Sequence, residues 1–205
     1  MIEPATLLAF VPAALALNLT PGADMMFCLG QGMRAGARPA LAASAGISAG
    51  VFVHALAAGL GLRALIAALP GALEAIRWAG VAYLLWLAFG ALRAGLVTGG
   101  GDALSARAAF RQGLAVNLAN PKVILFVLAF VPQFVDPARP VMAQFAGLGA
   151  VLALGGFAVN AGVGLSAGGL GRRMAGSAAF ARGAGWLSAG IFAALAVRLA
   201  VFQKG

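Results

Sequence analysis

Leu15-Ala-Leu-Asn-Leu-Thr-Pro21, close to the start of the chain, returns as Leu114-Ala-Val-Asn-Leu-Ala-Asn-Pro121, one residue longer and with the two prolines 100 positions apart. Both copies sit inside long apolar segments. A membrane-spanning helix needs about 20 mostly apolar residues, and six segments offer that length: 4–32, 40–62, 71–92, 113–134, 141–163 and 183–202. The third and sixth have short charge-free cores, 78–92 and 183–197, so Arg77 or Arg198 must snorkel toward an interface. Because the copies lie three spans apart, the second must cross the membrane in the opposite direction. That is the inverted repeat common in secondary transporters. The sequence therefore predicts an all-α membrane protein of six transmembrane helices in one domain over 1–205. Its two inverted three-helix halves, 1–95 and 108–205, are joined by a cytoplasmic linker at 96–107.

Composition supports the membrane assignment. Hydrophobic residues make up 62% of the chain and charged residues 9%, where a soluble domain carries about 25% charged residues. Mean hydropathy is +0.99. Thirty glycines suit helices that pack closely in lipid, where small residues let backbones approach. They could serve a homodimer as readily as internal packing. Glu3 is the sole charge of the N-terminal stretch, so the positively charged region of a signal peptide is missing and a retained first helix is expected.

Fourteen Lys+Arg against five Asp+Glu give a net charge of +9. These cations lie between apolar segments, which is the positive-inside pattern of a protein in an anionic bilayer and not a nucleic-acid surface. The connections after segments one, three and five hold eight basic residues, Arg34, Arg38, Arg93, Arg107, Arg111, Arg172, Arg173 and Arg182. The opposite side holds five, Arg63, Arg77, Arg139, Arg198 and Lys204. The richer side is expected to be cytoplasmic, with both termini outside the bacterial inner membrane.

Asp24 lies ten residues before Arg34, and Lys122 eleven after Arg111. At about 1.5 Å per residue each sits roughly 15 Å from a helix end, near the middle of a core about 30 Å thick. A charge there costs about 2.5–3.5 kcal/mol on insertion scales. Each adjoins a helix breaker, Asn18-Leu-Thr-Pro21-Gly22 before Asp24 and Asn117-Leu-Ala-Asn120-Pro121 before Lys122. Proline has no N–H to donate, so a carbonyl one turn earlier is freed and must be satisfied by a side chain, water or ligand. Broken helices of this kind build midplane substrate sites. The chemistry suggested is recognition of a zwitterion, with Lys122 and free N–H groups for a carboxylate and Asp24 for an ammonium or a coupling proton. The alternative is an Asp24–Lys122 ion pair that ties the halves together.

His54, the single histidine, falls in segment two and could relay a proton or bond a neighbouring helix. The scarcity of His, Cys and carboxylates predicts no metal site and no cofactor. One Cys28 and one His54 supply no convincing nucleophile with its base, so an enzyme is not expected. The Gly-rich stretch 162–171 lacks the Lys-Ser/Thr ending of a phosphate loop. Tyr83, Trp78, Trp86 and Trp186 read either as interfacial anchors or as packing residues. Two rival functions stand beside transport of a zwitterion: export of another small solute or ion, and an accessory subunit of a larger membrane complex.

Four stretches carry a resemblance to a known family. They are Leu19-Thr-Pro-Gly-Ala-Asp24, Gly32-Met-Arg-Ala-Gly36 running to Gly46 and Gly50, Phe110-Arg-Gln-Gly-Leu-Ala-Val-Asn-Leu-Ala-Asn-Pro-Lys122 followed by Phe130-Val-Pro-Gln-Phe134, and the Gly-rich final segment from Arg182 through Gly190. On these the chain resembles the LysE/RhtB family of amino-acid exporters over nearly its whole length. The resemblance implies a six-span exporter that moves amino acids or related metabolites out of bacteria by proton antiport. Ala23 departs from the family pattern, which often has a second proline there.

Overall fold

Proline and glycine decide where the helices break. The computed structural model describes residues 2–68, 72–93, 103–167 and 178–201. Helix α1, Pro4–Leu19, opens on a proline, which suits a first helical position whose N–H has no partner anyway. It stops ahead of Pro21, where Thr20 and Gly22 are extended. Helix α2, Ala23–Ala35, leaves at 55° to α1. It ends on Gly36, whose φ of 85° is the one positive value among the described residues and the conformation glycine adopts at least cost.

Helices α3, Ala37–Ala68, and α4, Ala72–Arg93, follow. Helix α5, Ala106–Leu118, starts on Ser105, whose Oγ accepts the Ala108 N–H at 3.3 Å. It stops short of Pro121. Asn120 then caps α6, Pro121–Ala129, its Oδ1 accepting the Lys122 N–H at 3.0 Å. A 3-10 turn, Val131–Phe134, extends α6, and this second pair is also bent by 55°. Helices α7, Val141–Ser166, and α8, Ala178–Val201, complete the described chain.

Two helices are long and apolar enough to cross a membrane unbroken, Ala37–Gly61 within α3 and Val141–Ser166 as α7. Each bent pair reaches spanning length if it is taken as one segment, so the candidate spans number two to four. The apolar stretches of α4 and α8, Trp78–Gly90 and Gly185–Ala194, are shorter. These are the two segments whose charge-free cores are short in the sequence. The described chain is thus an all-helical, multi-pass membrane protein. Residues 96–102 of the expected linker, Arg172, Arg173, Lys204 and the end of the Gly-rich stretch lie outside the described residues.

Contacts at the helix ends establish direction. Arg139, in the turn before α7, pairs with Glu3 ahead of α1 and with Asp136 at 3.1 Å. Gln144 clamps the same turn, accepting the Asp136 N–H at 2.9 Å and donating to its carbonyl at 2.8 Å. At the far end Gln31 Oε1 accepts the Leu104 N–H at 3.1 Å, joining the end of α2 to the approach to α5. The pair α1–α2 therefore runs from the Glu3 end to the Gln31 end, and α5–α6 runs back.

The two ends are packed by different means. Toward Arg139, rings interlock: Phe10 on Phe134 at 5.2 Å, Phe134 on Phe130 at 5.0 Å and Phe130 on Phe126 at 4.9 Å. Toward Gln31, backbones meet at glycines. A Cβ on Gly46 would fall on the Phe110 carbonyl, one on Gly32 on the Gly164 carbonyl, and one on Gly113 within 2.5 Å of the Ala43 carbonyl. Tight backbone approach of this kind substitutes for a hydrophobic driving force that lipid does not supply. Gly46→Ala is accordingly expected to lower stability by roughly 1–3 kcal/mol through overpacking. Gly61→Ala, where a Cβ meets nothing within 4 Å, serves as the neutral control. Thermal denaturation of both purified variants checks this; equal melting temperatures would contradict it.

Candidate functional site

The carbonyls freed by the two prolines both find side chains from other helices. Pro21 cannot donate to Leu17, four residues earlier. In its place Lys122 Nζ, arriving from the first turn of α6, donates to the Leu17 carbonyl at 3.1 Å and to the Thr20 carbonyl at 2.9 Å. The ammonium thus caps the negative end of the α1 dipole from another segment. Gly22 leaves it room, since a Cβ there would lie 3.3 Å from Nζ. Pro121 likewise cannot donate to Asn117. That carbonyl accepts from His54 Nε2 on α3 at 3.3 Å and from the Asn120 N–H at 2.9 Å. A carbonyl can only accept, so the His54 proton sits on Nε2 in this contact. His54 thus bonds a neighbouring segment.

Asp24 stands in the first turn of α2, where free N–H groups and the helix dipole favour a carboxylate. It is buried, and its Oδ2 accepts from Asn117 Nδ2 at 2.8 Å. Among the described residues its Oδ1 has no partner, nor do Asn117 Oδ1 and Asn120 Nδ2. Among the described residues Asp24 and Lys122 form no ion pair, because the ammonium is turned to the α1 carbonyls. What joins the two bent segments is the Asn117–Asp24 bond on one side of the break and the Lys122–carbonyl bonds on the other. Tyr83 on α4 steadies the start of α6 through an Oη bond to the Lys122 carbonyl at 2.6 Å. It is a packing residue, whereas Trp78, Trp86 and Trp186 are exposed on the helix surfaces.

Asp24 and Lys122 line a small cavity of about 20 Å³, together with Asn18, Thr20, Asn160 and the apolar Leu17, Met25, Ile47, Val51 and Val123. That is the space of about one water molecule. Asn18 is anchored, its Nδ2 donating to the Leu152 carbonyl of α7 at 3.2 Å. The structure thus gathers Asn18, Asp24 and Lys122 at the cavity, with Asn117 bonded to Asp24 and Gly22 beside Lys122, while Pro21, Asn120 and Pro121 form the two breaks and do not line it. His54 stands outside its wall. Asn160 was absent from the sequence reading, although an amide inside the apolar segment 141–163 is costly in lipid and was a usable signal.

No described group of His, Cys and carboxylates could hold a metal ion. Comparison with known proteins places these features in a wider set. Residues 15–203 match the LysE type translocator family. An uncharacterized membrane protein of Vibrio cholerae is 37% identical over 145 residues, covering 69% of this chain and 71% of its own. A homoserine/homoserine lactone efflux protein of Salmonella typhimurium is 35% identical over 147 residues, covering 69% and 70%. A leucine efflux protein of Klebsiella pneumoniae is 34% identical over 133 residues, covering 63% of each. No solved structure matches the chain.

Lys122→Met would leave the Leu17 and Thr20 carbonyls without the donor that now satisfies them. The expected cost is roughly 2 kcal/mol, read as a lower midpoint in denaturation of the purified protein. Unchanged stability would mean that the ammonium does not hold the break.

Proposed function

The chain belongs to the LysE type translocator family, and from that membership we propose that it exports amino acids or close derivatives across the bacterial inner membrane in exchange for protons. The relatives named for homoserine and leucine efflux support the cargo class. The observation that carries the reading is the cavity between the two bent segments, lined at once by a buried carboxylate with a free oxygen and by a half-buried ammonium. These are the complements of the two charged ends of a zwitterion.

The scaffold in this reading has six spans, with α1–α2 and α5–α6 each counted as one, in two inverted halves over 1–95 and 108–205. Opposite running directions of the bent pairs and equal bends of 55° support it. So do matching neighbourhoods. Asn18 lies against α7, where a Cβ on Gly156 would sit 3.1 Å from its Oδ1, and Asn117 lies against α3, where a Cβ on Gly50 would sit 2.6 Å from its Oδ1. The side richer in basic residues is cytoplasmic and both termini lie outside.

Cytoplasmic cargo enters between the halves. Its carboxylate draws Lys122 from the α1 carbonyls, helped by N–H groups at the α2 terminus, and its ammonium takes the free oxygen of Asp24. A space the size of one water holds no amino acid, so the described arrangement is a closed form and the helices must part at the two breaks to load it. Protonation of Asp24 from outside then removes the charge that holds the ammonium. Proton and ammonium compete for one carboxylate, and mutually exclusive binding at a single site that faces alternate sides is the physical basis of exchange.

The test is uptake of a labelled amino-acid panel into proteoliposomes of the purified protein, with and without a pH gradient, beside Asp24→Asn. Gradient-driven accumulation of one or a few amino acids, falling to the no-gradient level in the variant, is expected. Equal accumulation by Asp24→Asn would remove the carboxylate from coupling. No accumulation by the folded wild type would favour another solute or an accessory role.

A further inference from the structure

Of the two amides that line the cavity, one is committed and one is not. Asn18 donates to the Leu152 carbonyl. Asn160, only 5% exposed, lines the same cavity from α7, and its side chain forms no hydrogen bond among the described residues. It sits four residues beyond Gly156, which also lines the cavity, so the two share one face of the helix. Thr20 also lines the cavity, with its Oγ1 donating to the Ala16 carbonyl at 2.6 Å. Leu17, Met25, Ile47, Val51 and Val123 supply the apolar wall, and Asp24 and Lys122 are its only charges among the described residues.

We infer that Asn160 is a specificity-determining residue that reads the cargo's side chain, favouring amino acids with a short hydroxyl-bearing side chain over aliphatic ones. The inference rests on the amino-acid export proposed above. With Asp24 and Lys122 assigned to the ammonium and carboxylate, the side chain of the cargo is left to face the apolar wall and Asn160. A charged side chain would find no third charge to pair with. An aliphatic one would satisfy the wall but leave the amide buried and unpaired, which is unfavourable. A hydroxyl both donates and accepts, and so answers either end of the amide. Apolar pockets discriminate weakly against an added hydroxyl, whereas a site with a polar group to satisfy rejects the analogue that lacks it. Asn160 supplies that asymmetry, because Asn18 and Thr20 already donate to the Leu152 and Ala16 carbonyls.

The experiment measures L-homoserine and L-leucine transport by wild type, Asn160→Leu and Asn160→Ala in proteoliposomes. The two probes share the zwitterionic head and differ in the side chain. The expected wild-type preference is for L-homoserine, with the homoserine-to-leucine ratio of rates falling about tenfold in Asn160→Leu, the worth of about one hydrogen bond. Asn160→Ala removes the amide without adding bulk, and should lower the same ratio even if the leucine variant folds poorly. A wild-type ratio at or below one, or a ratio unchanged in both variants whatever happens to the individual rates, would overturn the inference while leaving amino-acid export intact. Transport of neither probe nor any other amino acid by folded wild type would instead sink the export reading on which it rests.

Discussion

The contact between the Lys122 ammonium and the carbonyls of Leu17 and Thr20 is the constraint on which the rest of the arrangement depends. A proline inside a membrane helix leaves a carbonyl that lipid cannot satisfy. Here the donor comes from the first turn of α6, itself created by the second proline, so each break exists in the context of the other. The lysine is a poor guest at a helix N-terminus, where the dipole favours anions, and a good one at the C-terminal end of α1. Its four-carbon stem lets it begin at one and finish at the other.

From that contact follows the division of labour around it. Asn117 holds one oxygen of Asp24 and leaves the other free. His54 takes the carbonyl that Pro121 abandons, and so does at the second break what Lys122 does at the first. Interlocked rings hold one end of the molecule and glycine-to-backbone contacts the other, leaving the polar cavity between them. A transporter that opens alternately needs a joint whose bonds can be exchanged for bonds to cargo at little net cost. An ammonium on neutral carbonyls meets that need better than a buried ion pair, because a carboxylate of the cargo is a stronger acceptor than the carbonyls it displaces.

Much of this was legible in the residues themselves. Both breaks follow from Pro21 and Pro121, the buried charges from the distance of Asp24 and Lys122 to the nearest arginines, and the family from the stretches around them. Partnership was not legible. Nothing in a one-dimensional string says that Lys122 reaches past Asp24 to the carbonyls of Leu17 and Thr20, or that His54 meets Asn117, because these residues are far apart in the chain and meet only through helix packing. The glycines at 32, 46 and 113 read as small-residue packing, yet which backbone each one admits depends on the fold. Asn160 gives only a weak signal in sequence, because an amide carries no charge and breaks no helix. The apolar stretches of α4 and α8 stay short for a reason visible in sequence, since Arg77 and Arg93 flank one and Arg182 and Arg198 the other.

The most direct test of this account is a double-mutant stability cycle between Pro21→Ala and Lys122→Met. Alanine at position 21 restores an N–H that can donate to the Leu17 carbonyl, so it should remove part of the need for the ammonium. The account predicts that Lys122→Met destabilises the Pro21→Ala background less than the wild type, by about 1 kcal/mol. Strictly additive effects would mean that the lysine and the proline-freed carbonyl are not coupled, and would contradict the account at its centre.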